Sequence, residues 1–242
     1  MKKIFVVTDN KFIFTEFKKI IDIKKEVSVE YFCSPKSEHI FKDEIANKTI
    51  KPMFLKNNDS FFIDNYNLGI SCHSKQLFPA KLVNTVLCVN IHPGLNPFNR
   101  GWYPQVFSII NGLPAGATIH VMDEEIDHGN IIVQEGIQIK SYENSLEVYN
   151  KVQNKEIELL NNVLDDILNG TFEHTKPNSE GNYNSIQDYK NMCEIDLEQK
   201  VTMRETINFL RAMTHPPYKN SYFIDEDGNK VFVSIELEKV DK

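Results

Sequence analysis

Over the first ninety residues, apolar positions fall in short unbroken runs separated by stretches with helical spacing. Lys3–Thr8 is a solid run of Ile, Phe and Val, the pattern of a strand buried on both faces. Phe12, Ile13, Phe17, Ile20 and Ile21 then recur at helical spacing. Val27–Cys33, Ile50–Leu55, Leu68–Cys72 and Thr85–Ile91 read as further strands. Glu38–Asn47, Asn58–Asp64 and a short piece at Pro79–Val83 read as the helices between them. This alternation predicts βαβ units and an α/β, Rossmann-like, mostly parallel sheet with helices on both faces.

The pattern changes beyond residue 100. Tyr103–Asn111 has helical spacing and ends at Gly112. Ala117–Met122 and Ile131–Ile139 read as strands around a polar loop, Asp123–Asn130. Ser145–Leu168 is a long amphipathic helix with Val148, Val152, Ile157, Leu160, Val163, Leu164 and Ile167 on one side and Gly170 as its C-cap. Residues 171–184, polar and holding Pro177 and Gly181, read as a linker. Met203–Thr214 is predicted helical and is stopped by Pro216 and Pro217. Tyr222–Val240 reads as a hairpin about Asp227-Gly228. The expected organisation is a catalytic core, 1–180, and a small C-terminal extension of helix and hairpin, 181–242.

Composition narrows the function classes. The chain has 242 residues and a net charge of −7, with no Lys/Arg-rich block, which argues against a nucleic-acid partner. No apolar run is long enough to span a membrane, and the start lacks the apolar stretch of a signal peptide, so a cytoplasmic protein is expected. The four cysteines are scattered and the histidines lack ligand-like clustering, so no metal is expected.

Candidate chemistry lies where the strand Val86–Ile91 runs out into Pro93-Gly94. Asn90 and His92 are two apart and face one side of a strand, at the carboxyl end where open α/β sheets bind ligands. Asp127 arrives from the polar loop. A carboxylate beside His92 is expected to raise the imidazole pKa and favour the imidazolium. With the Asn90 amide, that pair suits an oxygen turning negative during acyl transfer.

Asn90-Ile91-His92-Pro93-Gly94-Leu95-Asn96-Pro97, Arg100-Gly101, Gly116-Ala117-Thr118-Ile119-His120 and Asp123-Glu124-Glu125-Ile126-Asp127-His128-Gly129 follow one another over about 45 residues. In order and spacing they resemble the folate-dependent formyltransferases. Two departures, Gly94 where the family usually has Ser and Asn96 where it often has Leu, are expected to alter loop shape more than chemistry.

The resemblance implies Asn90, His92 and Asp127 as catalytic residues and 10-formyltetrahydrofolate as formyl donor. It places the pterin between the loop of Gln76, Leu77 and Phe78 and the loop of Met122, Asp123 and Ile126. Among acceptors, a tRNA is disfavoured by the acidic chain. The ribonucleotide substrate of glycinamide ribonucleotide formyltransferase is disfavoured by the glycine-free turn Thr8–Lys11. The implied substrate is a nucleotide-linked amino sugar, dTDP-4-amino-4,6-dideoxyglucose, contacted by Asn10, Lys11, Arg100, Trp102, Tyr103, Tyr218 and Lys219. A homodimer through the C-terminal hairpin is implied as well. The alternatives are a methionyl-tRNA formyltransferase or another formyl-folate enzyme of the same fold, a hydrolase passing formyl to water, and a non-catalytic nucleotide-sugar binding protein.

Overall fold

The computed structural model describes residues 1–240; Asp241 and Lys242, the end of the expected extension, lie outside the described residues. Its centre is a seven-stranded sheet in the order β3-β2-β1-β4-β5-β7-β8. The strands are β1 (Lys2–Thr8), β2 (Val27–Cys33), β3 (Ile50–Pro52), β4 (Leu68–Cys72), β5 (Leu87–His92), β7 (Ala115–Val121) and β8 (Ile131–Ile137). The first five are parallel, whereas β5–β7 and β7–β8 are antiparallel. Because the chain winds outward from β1 to β3 and then returns to β4, the strand order reverses between β1 and β4. Ligands of such sheets sit beyond the strand ends at that reversal.

Alternating residues of β1 feed two cores. Ile4 and Val6 pack with Phe17, Leu160, Leu164 and Ile167 beneath α1 (Lys11–Ile21) and α6 (Ser145–Asn169). Phe5 and Val7 pack on the other face with Phe32, Phe62, Phe78 and Leu82, under α3 (Asp59–Asn65) and α4 (Ala80–Val83). The reading of β1 as an unbroken apolar run follows from this double burial. Among the described residues no helix is long and apolar enough to cross a membrane.

Several sequence readings change. The helix expected over Glu38–Asn47 is a 3₁₀ turn, Pro35–Ile40, followed by α2, Lys42–Ala46. The strand expected to reach Leu55 stops at Pro52, whose missing N–H suits the edge position of β3. The segment read as a linker is tied into the core. Thr175 exchanges backbone hydrogen bonds with Ile131, and β9 (Tyr183–Asn184) pairs with β6 (Arg100–Gly101). A helix not foreseen, α7 (Ile186–Met192), follows with Ser185 and Asp188 as a capping box.

The fastening point is Asn99, fully buried and in the left-handed region at φ 50°. Its N–H donates to Asn182 Oδ1 at 2.8 Å, and its Oδ1 accepts from Asn111, Asn182 and Asn184 at 2.8, 2.8 and 3.2 Å. Further along, Ala212 and Met213 of α8 (Met203–Met213) share a third core with Val106 and Ile109 of α5 (Pro104–Asn111) and with Val148 of α6. The hairpin is shorter than expected: β10 (Ser221–Ile224) and β11 (Lys230–Val233) flank a turn held by the Asp225 and Asn229 backbones.

Asn99→Ala strips three side-chain amides of their shared acceptor. It is expected to lower unfolding free energy by about 3 kcal/mol, read from urea unfolding.

Candidate active site

β5 places Asn90 and His92 on one face at its carboxyl end. Antiparallel β7 lays His120 opposite Asn90 and Thr118 opposite His92. Thr118 fixes the turn that follows: its hydroxyl donates to the Gly94 carbonyl at 2.7 Å and accepts from the Asn96 N–H at 3.0 Å. The loop from 123 to 130 returns across this end. Gly129 is required where it passes Val121, since a Cβ there would lie 1.9 Å from the Val121 carbonyl oxygen.

That loop delivers Asp127 in the left-handed region, φ 52°, a strained position for a non-glycine residue. Its Oδ1 accepts from Asn90 Nδ2 at 2.9 Å and lies 3.4 Å from His92 Nδ1; its Oδ2 accepts from the Gly101 N–H at 3.1 Å. Burial works against the charge, but the neighbouring His92 and His120 rings and the Gly101 N–H outweigh it, holding the carboxyl down at about 2. Asp127 is therefore an ionised carboxylate and a poor proton acceptor near neutral pH.

His92 departs from the expected imidazolium. Its side chain is only 4% exposed, and burial prevails over the attraction of Asp127, pushing its pKa down to about 4. The resting ring is neutral. With Asp127 beside Nδ1, the favoured tautomer carries its proton there and leaves the Nε2 lone pair, a buried atom without a partner, facing the site.

His120 is also fixed in tautomer: Nδ1 is 2.9 Å from the Val121 carbonyl, which can only accept. Its Nε2 then accepts from Asn90 Nδ2 at 3.2 Å. Both N–H groups of Asn90 therefore have acceptors in the resting site, and the freely presented amide donor expected from the sequence is instead holding Asp127 and His120.

The two departures from the family pattern touch this chemistry directly. A Cβ at Gly94 would sit 2.4 Å from His92 Nε2, so the imidazole rests where only glycine leaves room. Asn96 Nδ2 donates to the Asp127 backbone carbonyl at 2.9 Å.

The other expected site residues divide. On the donor side, Leu77 is 71% and Ile126 37% exposed, leaving two apolar surfaces open. Phe78 is buried and stacked on Phe5, so its ring belongs to the core. Gln76 is occupied with the Leu55 N–H and the Met53 carbonyl. Met122 packs on the same core, and Asp123 holds the Glu125 N–H and His128.

On the acceptor side, Asn10 joins a polar cluster with Tyr149 and His73, whereas Lys11 turns outward to Glu44. Arg100 is buried beneath the loop, donating to the Ile126 carbonyl at 3.4 Å and pairing with Glu180, so it supports Asp127 rather than reaching a substrate. Lys219 lies over Phe232 of the hairpin. Trp102 and Tyr103 stand together, with Tyr189 of α7 4.3 Å from Tyr103, and Tyr218 flanks His215, which in turn flanks Tyr149. His73, Tyr149, Glu156, Tyr189 and His215 were not singled out in the sequence. The one available signal was a Tyr and a Glu a helical face apart on α6.

Comparison with known proteins identifies the family. The Formyl transferase family profile matches residues 65–164, and the profile of the N-formyltransferase dimerization C-terminal domain matches 188–239. The chain is similar to dTDP-4-amino-4,6-dideoxyglucose formyltransferase of Mycobacterium tuberculosis, 44% identical over 176 residues, 73% of this chain and 75% of that one. A 4-N formyltransferase from Francisella tularensis superposes with a TM-score of 0.97 at 70% identity, covering 99% of both chains. A sugar N-formyltransferase from Shewanella sp. does so with 0.95 at 37% identity, covering 100% of both.

The low His92 pKa has a thermodynamic consequence. The unfolded imidazole titrates near 6.5 and the folded one near 4, so between those values the unfolded state binds more protons. The His92 contribution is complete above pH 6.5 and is lost as pH falls towards 4. Thermal unfolding from pH 7 to 4 should show His92→Gln losing less stability than wild type, a difference on the order of 3 kcal/mol.

Proposed function

The chain belongs to the folate-dependent sugar N-formyltransferases, and from that premise we propose that Asn90, His92 and Asp127 direct a formyl group from 10-formyltetrahydrofolate to the 4-amino group of dTDP-4-amino-4,6-dideoxyglucose. The observation that carries the roles is the buried, unpartnered Nε2 of a neutral His92 whose other nitrogen faces an ionised Asp127. The exposed Leu77 and Ile126 suit the flat faces of a pterin. Trp102, Tyr103, Tyr189 and Tyr218 offer aromatic surface to a base or sugar.

His92 Nε2 accepts a proton from the amine nitrogen as that nitrogen bonds to the formyl carbon. The resulting imidazolium is stabilised by Asp127, whose own low pKa keeps it from taking the proton. Charged in that way, His92 meets the developing negative oxygen, which Asn90 can join by releasing one of its two acceptors. His92 then returns the proton to the folate nitrogen as its bond to the formyl carbon breaks. Asn96, Gly101 and Arg100 keep Asp127 in register throughout.

The extension fits a homodimer interface. Val231 and Phe232 of the hairpin are 37% and 45% exposed, Ile224 41%, and a lone two-stranded sheet needs a covering face. Four free cysteines suit the cytoplasm.

The test is an assay with 10-formyltetrahydrofolate and dTDP- or UDP-amino sugars, read by product mass. Formylation of the dTDP-4-amino sugar is expected; formate release without amine, or no turnover, would overturn the reading. His92→Ala and Asp127→Ala should each lower kcat by about 10²–10³ while retaining nucleotide binding. For the assembly, light scattering should report a dimer that Phe232→Glu converts to monomer.

A further inference from the structure

Beyond the ends of β1 and β4, at the reversal of strand order, four polar side chains form a directional chain. Asn10, two residues past β1, caps α1: its Oδ1 accepts from the Ile13 N–H at 3.0 Å. That fixes the amide, so Nδ2 faces the cluster and donates to the Tyr149 hydroxyl oxygen at 2.9 Å. The Tyr149 proton is thereby free to point at His73 Nδ1, 3.0 Å away. His73, the residue after β4, is held in the left-handed region at φ 57°. Its Nε2 lies 2.8 Å from both oxygens of Glu156, so Nε2 carries the proton and Nδ1 accepts.

Glu156 ends the chain, on α6 with no exposure at all. A carboxylate withdrawn from water and held against the His73 ring is a costly arrangement to keep for packing alone. The titratable groups facing the cluster are the Cys72 thiol from β4, His92 from β5, Tyr103 at the start of α5, and His215 and Tyr218 of the extension. Tyr149 is the member nearest this aromatic rim, and so the end that a substrate can reach.

Formyl transfer leaves a proton unaccounted for. An amino sugar arriving as its ammonium loses two protons on becoming a formamide. The N–C bond forms as the folate N–C bond breaks, and only one of the two protons ends on the folate nitrogen. The other must leave before attack. His92 and Asp127, at about 4 and about 2, are poor acceptors for it. Resting on the function proposed above, the geometry points to Tyr149–His73–Glu156 as a proton relay that deprotonates the incoming ammonium.

The ammonium gives its proton to the Tyr149 oxygen as the Tyr149 proton passes to His73 Nδ1 and the Nε2 proton to Glu156. Each group ends with the proton count it needs: the amine neutral, Glu156 a carboxylic acid, Tyr149 and His73 neutral as before, His73 in its other tautomer. Burial raises the Glu156 pKa, and the transfer neutralises two charges in a dry site, which favours it there as it would not in water. The stored proton returns to solvent by the same path when the neutral product leaves.

The experiment measures kcat/KM for the amino sugar from pH 6 to 10 at saturating formyl donor, for wild type, Glu156→Gln and Tyr149→Phe, with melting temperatures alongside. Glu156→Gln keeps an acceptor for His73 but cannot take the proton; Tyr149→Phe cuts the chain at the cleft and leaves the buried pair intact, so it carries the test should the first variant fail to fold. Both are expected to lose about 10²-fold near pH 7 and to recover towards wild type by pH 10, where the amine arrives neutral. A loss equal at every pH, or none, would overturn the relay while formyl transfer stands. A wild-type protein inert towards every amino sugar would overturn formyl transfer and the relay with it.

Discussion

A carboxylate withdrawn from water must be supplied with donors, and Asp127 draws them from separate parts of the chain. Asn90 and the His92 ring come from β5 and the Gly101 N–H from β6, while His120 of β7 is tied to the carboxylate through Asn90. Each contact requires something of the sequence nearby. The left-handed turn at Asp127 needs Asn96 to hold its carbonyl and Gly129 to pass Val121 closely. Arg100 is buried to support the same loop. Once this one negative charge is fixed, the positions of the imidazoles follow, since both rings turn an edge towards it.

Desolvation and charge pairing compete at each ionisable group, and the outcome differs with the number of donors. Asp127, with several, stays ionised. His92, with one carboxylate and other cationic or polar neighbours, goes neutral. Glu156, buried against His73, is pushed towards protonation. Two buried carboxylates thus take opposite characters, one held ionised and the other pushed towards protonation. Such a divergence is how a single site can hold a charge and move a proton near neutral pH.

The extension is part of the site's support. Asn99 and its three asparagine partners bind the chain beyond residue 180 to the turn that precedes Gly101 and so to Asp127. Tyr189 of α7 then stacks by Tyr103 at the rim. The polar composition of 171–184 reads as a linker because side-chain amides satisfy backbone and one another as readily as they bind water.

By itself the sequence determined the parallel α/β core, through runs and spacings set by local geometry, and the family, through motifs packed into about 45 residues of fixed order. Strand periodicity also put Asn90 and His92 on one face, and the family resemblance drew attention to Asp127. Only the tertiary structure decided their protonation and their company. Burial, which no local pattern encodes, reversed the expected charge of His92. Long-range polar contacts sent Arg100 beneath a loop and Lys11 to Glu44, and packing on Phe5 drew Phe78 into the core. His73 and Glu156 lie 83 positions apart in the chain and meet only because α6 packs on the face of the sheet to which β4 contributes. Periodicity reports which face a residue occupies; what it meets across that face is set by packing between distant segments.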